Sequence, residues 1–184
     1  AAALLVVDAL DALATQFIGG SLASAVHGVA RATLDVDLVA DLDESHAEPL
    51  AGALEGRFYV DAAAVREAIR HRRSFNVIHL ETMFKVDVFV SHRTPYAREQ
   101  FGRRVAEVVS GEPPRAACFA SRKDIVLAKL EWYRMGGGVS DRQWQDILGV
   151  LRAMGTILAY LRQWALQLGA DALLTRARQE AGLA

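Results

Sequence analysis

Two aspartates, Asp35 and Asp37, stand one residue apart inside the apolar run "TLDVDLVADL". Side chains alternate between the faces of a strand, so these two share a face, about 6.6 Å apart along the chain at ~3.3 Å per residue, while Leu34, Val36 and Leu38 take the other. Ionised carboxylates beside an apolar core are costly unless a positive group meets them. No lysine or arginine lies between these two, so a divalent cation is expected, and hard oxygen donors suit Mg²⁺ or Mn²⁺. A third acid, Asp87 in "FKVDVFV", shares a strand face with Lys85 and Phe89, opposite Phe84, Val86, Val88 and Val90. If that strand pairs beside the first, three carboxylates can hold two ions ~3.5–4 Å apart, an arrangement suited to in-line displacement at phosphorus. Upstream, Gly19 and Gly20 let backbone approach a phosphate, and Ser21 opens a helix whose free N–H groups and dipole favour an anion. Solvated acids on the wet face of an edge strand are the plainer alternative for Asp35 and Asp37, and a surface acid for Asp87.

The elements that must position these residues follow from periodicity. Residues 3–15 have helical spacing, "QFIGG" is a short strand, and "SLASAVHG" is a helix with Ser21 as N-cap and Gly28 as C′ stop. After the Asp35 strand come a helix at "ESHAEPLAGALEG", a strand at "RFYV" and a charged helix at "DAAAVREAIRHRR". "SFNVIHLETMFKVDVFV" predicts a hairpin turning at Glu81–Met83. Gly111, Pro113 and Pro114 mark a break. Helices are expected at 122–135, 140–153, 156–168 and 170–181, the second capped by Ser140 or Asp141. The expected fold is α/β (α+β), a small mixed sheet with flanking helices over residues 1–120 and a helical bundle over 121–184.

Composition narrows the function. The 184 residues carry 21 basic and 22 acidic side chains, so no global field draws the chain to nucleic acid. A local patch built from residues 70–74 with Arg103, Arg104, Arg122 and Lys123 remains open to an RNA acceptor. No apolar stretch approaches the ~18–20 residues of a spanning helix, so no membrane partner is expected. The first residues read as an amphipathic helix rather than a secretion signal. A single cysteine, Cys118, excludes an intrachain disulfide and suits a reducing cytoplasm. His27 reads as a capping or core residue, and Trp144, Ile147, Leu148 and Leu151 as one apolar stripe.

The order G-G-S, then D-x-D, then a separate strand Asp, as in "GGSLASAVHGVARATLDVDLV" and "FKVDVFV", resembles the DNA polymerase β type nucleotidyltransferase superfamily. Its "HGxxRxTxDxD" flavour is similar to bacterial AbiEii-like and related nucleotidyltransferases. There, a lysine on one helix and an aspartate on the next follow the core, matching Lys129 and Asp146. The resemblance implies a nucleotidyltransferase core with a helical bundle beside it, and transfer of a nucleoside monophosphate from an NTP such as ATP to an acceptor, with release of pyrophosphate. It implies Mg²⁺ or Mn²⁺ on Asp35, Asp37 and Asp87, with Asp87 alternatively serving as base. Gly19, Gly20 and Ser21 would hold phosphates, with Arg31 and Lys129 as further nucleotide contacts. Lys129 reads equally as a surface helix charge. The implied acceptor is tRNA or protein, and the implied partner is the antitoxin of a toxin–antitoxin pair. A nucleotide-binding regulatory or partner-binding module without turnover is the alternative.

Overall fold

The computed structural model describes residues 2–27, 35–109, 114–154 and 158–183. Contacts divide the chain into two units, Ala1–Gly19 with Ala32–Ala120, and Gly20–Arg31 with Ser121–Ala184. Elements are numbered along the whole chain.

The first unit holds α1 (Ala2–Asp11), β1 (Gln16–Ile18), β2 (Asp35–Ala40), α3 (Ala47–Leu54), β3 (Phe58–Tyr59), α4 (Ala62–Arg70), β4 (Ser74–His79), β5 (Lys85–Val90), α5 (Pro95–Arg103), β6 (Val105–Val109) and β7 (Arg115–Phe119). The seven described strands form one mixed sheet in the order β3-β4-β5-β2-β1-β7-β6. β2 runs parallel to β5 and β1 parallel to β7, while the other neighbours are antiparallel. One face of this sheet is the core. Val36, Leu38 and Ala40 of β2, Val86, Val88 and Val90 of β5, and Phe75 and Val77 of β4 are all buried. They are joined in the core by Val6, Val7 and Leu10 of α1, Leu50 and Leu54 of α3, and Val65 and Ile69 of α4. Burying apolar surface at ~25 cal/mol per Å² is what fixes which face of each strand turns inward.

Local chemistry sets the helix starts. Asp61 caps α4 by accepting from the Ala63 and Ala64 N–H groups, and Thr94 caps α5 ahead of Pro95. The β4–β5 hairpin turns where expected, with the Met83 N–H donating to the His79 carbonyl at 2.8 Å. Residues 95–109 carry an unanticipated helix and strand, although Thr-Pro ahead of a helical pattern is a start signal. β6 was harder to read because its side chains are mostly exposed and lack an alternating pattern.

The second unit holds α2 (Gly20–Val26), α6 (Arg122–Met135), α7 (Asp141–Met154), α8 (Leu158–Gln167) and α9 (Asp171–Glu180). α6 packs on α7, and α8 on α9. The stripe Trp144, Ile147, Leu148 and Leu151 is buried as its spacing required. Ser121 caps α6, and the Ser140 hydroxyl accepts from the Gln143 N–H at 3.3 Å. α2 begins at Gly20, so Ser21 lies in its first turn rather than at the cap. Gly28 lies outside the described residues.

α7 is tied to α9 by a mixed aromatic and ionic contact. The Trp144 indole N–H donates to Glu180 at 2.6 Å, and Arg176 donates to the other oxygen at 2.8 Å while its guanidinium lies 4.4 Å from the Trp144 ring. The indole N–H first, and Arg176 second, hold the Glu180 carboxyl below its ordinary value. A lowered folded pKa contributes stability above the unfolded value of 4.5 and loses it as pH falls through the lower folded one. Wild type should therefore melt above Glu180→Gln at about pH 7, and that difference should shrink progressively as pH falls below 4.5, as read by thermal melts of both proteins.

Candidate active site

The face of the sheet opposite the core carries the acids. β2 and β5 are parallel and in register, so Asp37 stands directly beside Asp87, and Asp35 beside Lys85. Asn76 of β4 is the neighbour of Asp87 on its other side. On the far side of β2, the Gly19 N–H donates to the Asp37 carbonyl at 2.8 Å. One row across the sheet thus reads Asn76, Asp87, Asp37, Gly19. Asp35 is exposed, and Asp37 and Asp87 are half-buried.

Like charges directly opposite on neighbouring strands repel. A neighbouring lysine meets that repulsion. Lys85 shares the face of Asp87 because their spacing is two, and its ammonium lies 2.9 Å from Asp87 Oδ2. The hydrogen bond to Asp87 and its charge, with smaller contributions from Asp35 and Asp37, hold the Lys85 ammonium above its usual range. No lysine or arginine lies between Asp35 and Asp37, but Lys85, expected on the face of Asp87, supplies a cation from the neighbouring strand. Period-two spacing in "FKVDVFV" sets that lysine on the face of Asp87.

Three carboxylates on one face form the hard oxygen donor set that Mg²⁺ and Mn²⁺ prefer, and the side-by-side placement of Asp37 and Asp87 fits such an ion. Among the described residues, no three His, Cys, Asp or Glu side chains already converge as a metal-ligand cluster.

Gly19 and Gly20 differ in why they are glycine. A Cβ at Gly19 would meet the Asp37 carbonyl oxygen and Val39 Cγ2 at 3.9 Å, which is ordinary contact. Gly20 has φ of 57°, the left-handed region that costs an L side chain about 1–2 kcal/mol. Gly20→Ala should therefore lower stability by about 1 kcal/mol in urea unfolding, and Gly19→Ala by clearly less.

Arg31 lies outside the described residues. Lys129 of α6 is buried, not a surface charge, and donates to Asp146 Oδ2 of α7 at 2.8 Å. Asp124, at the start of α6, is also buried; it accepts from the Ser121 hydroxyl at 2.5 Å and the Tyr160 hydroxyl at 3.0 Å. Nothing in the sequence pattern had singled it out. Much of the basic cluster is engaged internally. Arg70 pairs with Glu44, Arg72 donates to the Leu42 and Ser91 carbonyls, and Arg103 pairs with Glu99. No helix among the described residues is long and apolar enough to cross a membrane.

A mixed seven-stranded sheet with flanking helices, bearing acids on its open face, has the α/β fold found in nucleotidyltransferases. The antibiotic-resistance factor ANT(2'')-Ia shares that fold at a TM-score of 0.57 and 15% identity, over 97% of this chain and 91% of its own. An antigenic nucleotidyltransferase-like protein from Paracoccidioides brasiliensis matches at a TM-score of 0.57 and 18% identity, over 96% of this chain and 91% of that one. No protein-family model and no curated protein sequence matches the chain. At these identities the likeness is one of fold.

Proposed function

We propose that the chain is a metal-dependent nucleotidyltransferase that moves a nucleoside monophosphate from an NTP to an acceptor. The observation that carries this reading is the register of β2 with β5, which sets Asp37 beside Asp87 on a nucleotidyltransferase-like sheet. In this reading Asp35, Asp37 and Asp87 hold Mg²⁺ or Mn²⁺, which when bound supplies positive charge against the developing charge of the phosphoryl group. The alternative role for Asp87 is that of base, accepting the proton of the acceptor hydroxyl. Gly19, Gly20 and Ser21 bind phosphates through backbone N–H groups, and Arg31 adds a cationic contact, roles that rest on the sequence motif. Lys129 as a further nucleotide contact likewise rests on the sequence resemblance. The finer part of the proposal, a tRNA or protein acceptor and a cognate antitoxin as partner, rests on the AbiEii-like sequence flavour alone.

The test is incubation of the full chain with each labelled NTP, Mg²⁺ or Mn²⁺, and a pool of total RNA or cell lysate. Metal-dependent label transfer to a macromolecule is the expected outcome. Nucleotide binding with no transfer to any acceptor would instead favour a binding module, and absence of both would overturn the reading.

A further inference from the structure

We infer that Lys85 is a tethered cation that occupies the acidic face in place of a divalent ion and competes with it for Asp87. The inference rests on the metal-binding reading above and extends it to a residue that reading does not use. Three features support it.

First, placement is fixed by the backbone. Residues 85 and 87 share a face of β5, and register sets Asp35 and Asp37 beside them on β2. The ammonium therefore belongs to the same small area as all three carboxylates. Second, the contact is specific, with Lys85 Nζ 2.9 Å from Asp87 Oδ2. Asp87 is the more protected partner at 18% exposure, against 41% for Lys85, so the flexible lysine stem is the part free to swing away. Third, an ammonium can neutralise a carboxylate but only by donating hydrogens, whereas a divalent ion takes the oxygen lone pairs directly and brings twice the charge. The ammonium already uses one lone pair of Asp87 Oδ2 and sets a positive charge beside it, so an incoming dication binds against Lys85.

Exposed ion pairs are weak, which is what makes the exchange practical: a contact of this kind sets a modest threshold on metal affinity rather than a block. Removing the ammonium while keeping an apolar stem of similar length is therefore expected to tighten Mn²⁺ binding about fivefold. Moving the charge to a guanidinium should leave affinity within about twofold of wild type, because the competing cation is retained.

The experiment is Mn²⁺ titration of the full chain at constant pH and ionic strength, followed by calorimetry and by the electron spin resonance signal of free Mn²⁺. Wild type, Lys85→Met and Lys85→Arg are compared, with metal-free melting curves as a check that each variant folds. Tighter binding by Lys85→Met, with Lys85→Arg close to wild type, supports the inference. Binding by Lys85→Met that equals or falls below wild type overturns it while leaving the metal-binding reading intact. Failure of wild type and both variants alike to bind Mn²⁺ overturns that reading, and the inference with it.

Discussion

Asp37→Asn is expected to lower the rate of nucleotidyl transfer about a thousand-fold while leaving the melting temperature unchanged or slightly raised. The asparagine keeps the size of the side chain and removes its charge. In the proposed chemistry, that charge helps bind an ion that stabilises the reacting phosphoryl group by several kcal/mol, and each 1.36 kcal/mol is a factor of ten in rate. Loss of about 4 kcal/mol thus corresponds to roughly three decades. Stability should move the other way, because Asp37 stands beside Asp87 on the adjacent strand and its charge is a source of repulsion in the metal-free protein. Asp87→Asn should match it in activity but not in stability, since it also removes the partner of Lys85. Asp35, exposed at the start of β2, should show a smaller activity loss. Single-turnover transfer assays and thermal melts on the same preparations check both halves. A variant that loses activity only in proportion to lost stability would show that the acids act through the fold and not at a reacting centre.

The second large effect concerns the helical unit. Lys129→Met should destabilise the protein by about 3 kcal/mol, because it leaves the Asp146 carboxylate buried without the ammonium that donates to it at 2.8 Å. Both side chains are nearly sealed from water, at 10% and 7% exposure, so solvent cannot replace the lost partner as it does at the surface. Replacing the two together, as Lys129→Met with Asp146→Leu, should recover most of the loss, since a well-packed apolar pair commonly equals a buried ion pair. Urea unfolding of the two singles and the double gives the coupling energy directly. A Lys129 acting chiefly on a nucleotide would instead show a raised KM with stability intact. The buried pair makes stability the property expected to move.

Much of this was legible in the chain because it is encoded at short range. The alternation in "TLDVDLVADL" and "FKVDVFV" places the acids on one face and a mainly apolar set on the other, and Val36, Leu38, Val86, Val88 and Val90 of that set are buried. The helical periods of α6, α7, α8 and α9 fall close to their observed bounds, as does the hairpin of β4 and β5. Each of these depends on residues within a few positions of one another, where period and capping are decisive.

The long-range facts were not available there. That β5 lies beside β2, in the register that sets Asp37 against Asp87 and Lys85 against Asp35, is decided by burial of two apolar faces in one core, fifty residues apart in the chain. A strand carries no label for its neighbour, and a slip of one residue would turn every side chain to the other face. The same holds for Lys129 and Asp146, whose residue types read as a charged helix surface or a ligand contact. Only the packing of α6 on α7 makes them a buried pair. Sequence alone determined which residues face together on β2 and β5 and, closely, where α6, α7, α8 and α9 begin. The tertiary structure decided which charges meet, because pairing between elements is settled by the collective packing of a core rather than by any local run of residues.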